Sequence, residues 1–281
     1  MSLSPAELWT NQFYANMECR NGWRCDTFWN SKEKSSEFIC HAESDLQKYV
    51  YQLRLKTLPL SSDARVLDIG SGPGFFTLPI AKQVAFVTAV EPARGMREFL
   101  LQRCENERIS NVSCIAQRWE DVSIEQLDAP YDLVLASFSL GMPDIRTALL
   151  KMDSCCSGEV VCFWSSGIGL WESIMSFLYE KLHKKAYVPA PKADLLVQVL
   201  ENEGISPCFT EHKERYTDAY ATFDAVIDAV CSRISIPKDL HDSVVRGEIG
   251  EYLQSIVVEK DGIWHLDGIN STGRVSWKSQ N

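Results

Sequence analysis

Apolar positions first recur at helical spacing, and only from Arg65 onward do they gather into short runs of the length of buried strands. Leu46, Val50 and Leu53 share one stripe of a helix expected from about His41 to Thr57, which ends at Pro59 before the Ser61-Ser62-Asp63 turn. Five apolar runs follow: Val66 to Ile69, Phe86 to Val90, Val112 to Ile115, Leu133 to Ala136 and Val160 to Trp164. Between them, Phe75 to Val84 reads as a helix strained near its start by Pro79. Gly95 to Glu107 reads as a second, with Met96, Phe99, Leu100 and Cys104 on one face. Near-continuous apolar strands alternating with helices predict an α/β fold, a mostly parallel sheet covered on both faces.

Beyond the fifth strand, Leu170 to Lys184 and Lys192 to Glu203 are amphipathic and read as a helical insertion or lid at about 167–203. Ile205 to Tyr216 is expected to return to the sheet, and Ala221 to Cys231 to form a further helix. Asp261-Gly262 marks a hairpin turn at about 255–266, which makes the C-terminal part antiparallel. Residues 1–60 form an N-terminal helical segment whose aromatics (Trp9, Phe13, Tyr14, Trp23, Phe28, Trp29) pack on a core domain at 61–281.

A net charge of −10 disfavours nucleic acid, and no basic block offsets it. The chain shows no apolar run long enough for a membrane span and no secretory start, so a cytoplasmic protein is expected, with no membrane partner. Ten scattered cysteines read as reduced thiols. Cys19, Cys25, Cys40 and His41 could gather round a metal, but without a C-x-x-C pair no metal site is expected.

Asp68-Ile69-Gly70-Ser71-Gly72-Pro73-Gly74 closes a buried strand and opens a helix, which puts a glycine turn at the carboxyl edge of the sheet, where open α/β sheets bind ligands. The third glycine comes two residues after the second instead of three, and Pro73 removes an amide that a pyrophosphate would use. A phosphate-free ligand therefore fits better than a dinucleotide. Glu91, ending the next strand, is placed to accept both hydroxyls of a ribose.

VLDIGSGPG, AVEP, QRWEDV and YDLVLASFSL together resemble the successive cofactor motifs of class I S-adenosylmethionine-dependent methyltransferases, over about Arg65 to Trp164. Through WEDV, ASFSL and YVPAPKADLL the chain also resembles uncharacterised members from anaerobic bacteria and archaea. The resemblance implies a Rossmann-like sheet and S-adenosyl-L-methionine as cofactor. It implies that Gly70, Ser71, Gly72 and Gly74 lie along the methionine part and sugar, with Asp68 positioning them and Glu91 holding the ribose. Pro92 would lie on the adenine. The acid that commonly binds the adenine amine is replaced by Arg118, so Trp119 and Glu120 are expected to frame the base by backbone amide, ring or carboxylate. Ala136 and Ser137 would face the reacting end.

A sulfonium methyl is already activated, so alignment of the acceptor is the main requirement and no universal catalytic residue can be read. The segment Ala136-Ser137-Phe138-Ser139 lacks the Pro-Pro-aromatic signature of amide and exocyclic-amine methylation in this superfamily. Acidic charge and an aromatic-rich lid favour a small organic acceptor, with a protein or RNA acceptor, or a non-catalytic S-adenosylmethionine-binding domain, as alternatives. Trp164, Trp171, His183, Tyr187 and Lys192 are the candidates for acceptor handling, His183 and Tyr187 being the candidate catalytic groups.

Overall fold

The apolar runs form parallel strands, four of the five buried on both faces and the Val112–Ile115 run partly exposed at the sheet edge. In the computed structural model, which describes residues 3–20, 29–30, 32–234 and 242–280, they are β1 (Arg65–Ile69), β2 (Phe86–Val90), β3 (Val112–Ile115), β4 (Tyr131–Ser137) and β5 (Cys156–Ser165). Three more strands follow: β6 (Cys208–Tyr220), β7 (Val257–Lys260) and β8 (Ile263–Lys278). The sheet order is β3-β2-β1-β4-β5-β8-β6, with β7 paired to β8. Neighbours among β1 to β5 are parallel, while β8 is antiparallel to β5, β6 and β7. Among the described residues no helix is long and apolar enough to cross a membrane.

Ten helices accompany the sheet in the described residues: α1 (Pro5–Cys19), α2 (Lys32–Ala42), α3 (Asp45–Leu55), α4 (Thr77–Ala81), α5 (Arg94–Asn106), α6 (Ile145–Ser154), α7 (Leu170–His183), α8 (Ala193–Asn202), α9 (Phe223–Cys231) and α10 (Asp242–Leu253). The single helix expected from His41 is two. Ser44 caps α3 by accepting from the Gln47 amide, so His41 belongs to the preceding helix. Leu53 is not on the buried stripe: it is exposed, whereas Val50 is buried. The helix expected over 75–84 shrinks to α4, with Pro79 in its first turn, where a missing N–H costs least. Neither α6 nor α10 was expected, although Asp144 caps α6 through the Thr147 amide.

Two apolar clusters decide what overlies the sheet edge. One face of the sheet packs Leu149 and Met152 of α6, Leu196 and Val199 of α8, and Trp9 of α1 against Val160, Val275 and Trp277. A separate cluster joins Leu178 of α7, Val230 of α9, Ile249 of α10, Val257 and Leu266. The stretch read as one lid thus divides, α8 into the main core and α7 into the second cluster. Register shows where that cluster stands. Ser165 at the end of β5 pairs with Thr272, but β8 runs on from Ser271 back to Ile263 beside β6 alone and then β7. The long β6–β8 pair is an arm that passes the carboxyl end of β5 and carries α7, α9 and α10.

The N-terminal helix is part of the core. Trp9 is fully buried, donates its indole N–H to the Met142 carbonyl at 2.9 Å and lies 6.1 Å from the Trp164 ring. Trp29 lies 5.0 Å from Phe38, and Phe13 packs on the main cluster; Trp23 and Phe28 lie outside the described residues. Trp9→Ala should cost about 3 kcal/mol or more through the cavity and the orphaned carbonyl. A urea unfolding midpoint equal to that of the unsubstituted protein would show that α1 is dispensable.

Candidate functional site

The glycine turn between β1 and α4 has all three glycines at positive φ: Gly70 at +70°, Gly72 at +55° and Gly74 at +89°. A Cβ at Gly70 would lie 2.2 Å from the Ser139 Cβ, and one at Gly74 would lie 2.3 Å from a Leu78 methyl. At Gly72 nothing lies within 4 Å, so that backbone is open to an approaching ligand. Ser139, one turn past β4, closes the other side by donating its hydroxyl to the Ile69 carbonyl at 2.5 Å.

Glu91 links the turn to β2. It is 7% exposed, and its two carboxylate oxygens accept from the Gly72 amide at 2.9 Å and the Ala93 amide at 2.8 Å. Burial raises its pKa; the Ala93 and Gly72 amides and the Arg97 charge oppose that rise. Arg97 donates to the Glu91 carbonyl at 2.9 Å and to that of Pro92, which fixes the strand end that carries both residues. Asp68 sits deeper, 2% exposed, and accepts from the Thr77 hydroxyl at 2.6 Å. Its pKa rises to about 6 because of burial, against the Thr77 hydrogen bond and with a further push from Glu91. Asp68 therefore anchors the start of α4 and has no exposed face to offer.

On the far side, Glu91 donates its amide to the Ile115 carbonyl at the end of β3, and the chain then makes a single 3-10 turn at Trp119–Asp121. The Trp119 ring is core: it is 3% exposed and donates to the Ala148 carbonyl at 3.2 Å. Lys151 Nζ lies 4.2 Å from the ring centroid and donates to the Trp119 carbonyl and, at 2.9 Å, to that of Val122. Only the backbone of Trp119 remains for a ligand, while Glu120 is exposed. Pro92 is half-buried beside Glu91. Ala136 is buried between Ile69 and Cys162, and Ser137 and Phe138 follow at the edge, Phe138 at φ +53° with its ring 43% exposed.

Of the five acceptor-handling candidates, His183 and Tyr187 both pack against the Tyr179 ring, and the polar atoms of Trp164, Trp171, Tyr187 and Lys192 have partners within the fold. Trp164 donates to the Pro191 carbonyl, Lys192 pairs with Glu172 at 2.5 Å, and Trp171 donates to the Tyr216 hydroxyl and Asp218. The Tyr187 hydroxyl accepts from Asn16 at 3.0 Å, and burial raises its pKa, so its phenol keeps its proton at neutral pH. His183 stacks on Tyr179 with centroids 4.2 Å apart. Among the described residues no cluster could hold a metal ion; Cys19 is buried and Cys40 exposed, and Cys25 and the His41 side chain lie outside the described residues.

Several site-forming residues were not foreseen. Ser139 stands in the quoted ASFSL stretch and was readable only as sequence adjacent to Ser137. Lys151 gave no signal, because α6 itself was not expected. Asn30 and Ser35 cover the start of α5: the Arg94 amide donates to Asn30 at 2.9 Å, and a Cβ on Gly95 would meet the Ser35 hydroxyl at 2.8 Å.

Two variants test this geometry. Asp68→Asn removes a buried acid whose folded pKa is raised, so the charged form opposes folding above about pH 6 and the opposition fades as pH falls through that value. The variant should therefore be more stable than the unsubstituted protein at pH 7.5, by roughly 1 kcal/mol, and lose that advantage only as pH falls to about 3.8, the ordinary carboxyl value; a difference independent of pH would contradict the burial argument. Lys151→Met should loosen the Trp119 turn and lower stability by about 1–2 kcal/mol, as three carbonyls lose a charged donor. Lys151→Arg should recover part of it in the same denaturation assay, whereas equal stability of all three proteins would exclude the clamp.

Comparison with known proteins shows what this geometry is similar to. Residues 66–157, about a third of the chain, match the model of a methyltransferase domain. An uncharacterized Haemophilus influenzae protein is 32% identical over 102 residues, 36% of this chain and 37% of the relative, so the likeness spans little more than a third of that protein's length. The magnesium protoporphyrin IX methyltransferase of Synechocystis, solved with bound S-adenosylhomocysteine, superposes with a TM-score of 0.53 at 11% identity over 93% of this chain and 99% of its own. A Haemonchus contortus phosphoethanolamine N-methyltransferase, solved with phosphomonomethylethanolamine and S-adenosylhomocysteine, gives 0.54 at 14% over 91% of this chain and 59% of its own. The YcgJ protein of Bacillus subtilis gives 0.52 at 16% over 80% and 97%. These low identities speak for the fold. Residues 66–157 thus match a methyltransferase domain, and the solved methyltransferases share the fold of the chain.

Proposed function

We propose that this protein transfers a methyl group from S-adenosylmethionine to a small organic acceptor. The observation that carries the reading is Glu91: a nearly sealed carboxylate at the carboxyl ends of β1 and β2, tied to the one glycine of the turn with open space above it. Each of its oxygens accepts one backbone hydrogen bond and retains a second lone pair, which suits a ribose diol. The residues present fit the cofactor in a second respect. The Ser71 hydroxyl is buried in the glycine turn with no hydrogen-bond partner, and so is the Gln117 amide oxygen just past β3.

When bound, the cofactor supplies an activated methyl on sulfur. The chain's own part is to bind and align. Gly72 gives close backbone approach, Glu91 holds the sugar, and the 118–120 backbone with Pro92 borders the base. Ser137 and Phe138 border the reacting end. A small acceptor agrees with the neighbours whose acceptors are named, a magnesium porphyrin and a phosphoethanolamine derivative.

Glu91→Ala should weaken S-adenosylmethionine binding by about 2–3 kcal/mol, some thirty- to hundredfold, in a calorimetric titration. Unchanged affinity would remove Glu91 from the site. Methyl-labelled cofactor incubated with fractionated cell extract should label the small-molecule fraction. Label in protein or RNA would establish the macromolecular alternative, and no transfer despite binding would leave a cofactor-binding domain without catalysis.

A further inference from the structure

The arm passing the end of β5 has one face covered by helices and one face open. Leu266, Asp218 and Tyr216 belong to the covered side, Leu266 within the α7–α9–α10 cluster and Tyr216 and Asp218 bonded to Trp171 of α7. Residues directly opposite in an antiparallel ladder share a face. Val258 pairs with His265, Thr217 with Asp267, and Arg215 with Ile269, so these six residues form the other face. With Lys260, Leu46 of α3, and Tyr216 and Gly268 at its rim, they line a cavity of about 740 Å³; the size suits a small ligand.

Three features set this cavity apart from an ordinary solvated strand surface. First, among the described residues none of Arg215, Lys260, His265 and Asp267 makes an ion pair or a side-chain hydrogen bond, while charges nearby are paired: Arg54 with Glu214, Arg274 with Glu159. Second, three basic groups face one acid in a chain whose net charge is −10. Third, apolar surface lies among them, with Val258 61% and Ile269 60% exposed. Cations beside exposed aliphatic side chains match a molecule with an anionic end and an apolar body.

Strand register fixes how far the cavity lies from the edge of β4. Thr272 of β8 lies beside Ser165 at the end of β5, and Asp267 is five residues farther along the same strand, roughly 17 Å at 3.3–3.4 Å per residue. The base of the arm is fixed by Arg54 of α3. It pairs with Glu214, donates to the Thr272 hydroxyl at 3.2 Å and lies 4.9 Å from the ring centroid of Phe138, the residue after Ser137. Ser137 pairs with Phe163 and Phe163 with Arg274, so Asp267 lies two strands across and seven residues along from Ser137, on the order of 25 Å.

We infer that the arm cavity is a binding site for an amphiphilic anion, in which Arg215, Lys260 and His265 hold its carboxylate or phosphate, while Leu46, Val258 and Ile269 take its apolar body. The site is separate from the glycine turn and Glu91, and the binding does not depend on the methyltransferase reading.

The test uses the full chain and four probes: octanoate, octyl phosphate, inorganic phosphate and octanol, titrated while the imidazole resonances of His265 are followed by NMR. Octanoate or octyl phosphate should shift them saturably, at least about tenfold more tightly than inorganic phosphate, and octanol should leave them unmoved. The two anionic heads distinguish a carboxylate from a phosphate ligand. The doubly substituted Arg215→Gln, Lys260→Gln protein, altered only at exposed positions, should lose about tenfold or more of that affinity. Asp267→Asn should gain severalfold by removing a like charge. Octanol binding as well as octanoate, or no response to either anion, would overturn the inference. S-adenosylhomocysteine affinity, measured on the same proteins, should be equal in all of them. If it were absent throughout, the cofactor reading would fail while the anion result stood by itself.

Discussion

The carboxylate of Glu91, bonded to the amides of Gly72 and Ala93, is the constraint on which the site depends. A charge 7% exposed is costly to bury, and here two backbone donors compensate it. The same two bonds fix the glycine turn of β1 against the end of β2. Around them each neighbour has little freedom. Ser139 leaves no room for a side chain at Gly70, Leu78 leaves none at Gly74, and Asp68 ties the turn to Thr77 beneath it. What remains open is the Gly72 backbone. Rigidity of this kind suits a reaction in which alignment does most of the work.

The rest of the fold surrounds that point. α6 carries Ala148 and Lys151, which hold the Trp119 turn on one side. The cover from Asn30 and Ser35 sits on the start of α5. Beyond the end of β5, a strand of 16 residues links the sheet to a second apolar cluster, so that β8 serves both as a core strand and as the arm beyond the edge. Arg54, Glu214 and Thr272 lock the arm to α3 where the two meet.

What could be read from the sequence was what is local in it. The parallel strands, the glycine turn and the acid at the end of β2 are each signalled within a few residues, because the turn needs glycine for its backbone and the strands need continuous apolar runs. What escaped depends on distant partners. Trp119 is a core residue because Ala148 and Lys151 lie under it, on a helix whose own pattern was not recognised. Leu53 is exposed and Arg54 engaged because Glu214, 160 positions away, supplies the partner. Trp164, Trp171 and Lys192 looked like acceptor-handling groups because their types are right, yet each meets a partner from another part of the chain that consumes its polar atoms. The arm cavity was illegible for the same reason: Arg215, Lys260 and His265 come together only through the pairing of three strands.

The central claim is that Glu91 and the Gly72 backbone hold the sugar of an adenosyl cofactor whose reacting end points towards Ser137 and Phe138. A crystal structure of the protein with S-adenosylhomocysteine tests it most directly. The account predicts both ribose hydroxyls within hydrogen-bonding distance of the Glu91 carboxylate, the base beside the 118–120 turn, and the sulfur at the edge of β4 facing the arm. Adenosine bound away from Glu91, or no ligand density at this edge under saturating conditions, would contradict it.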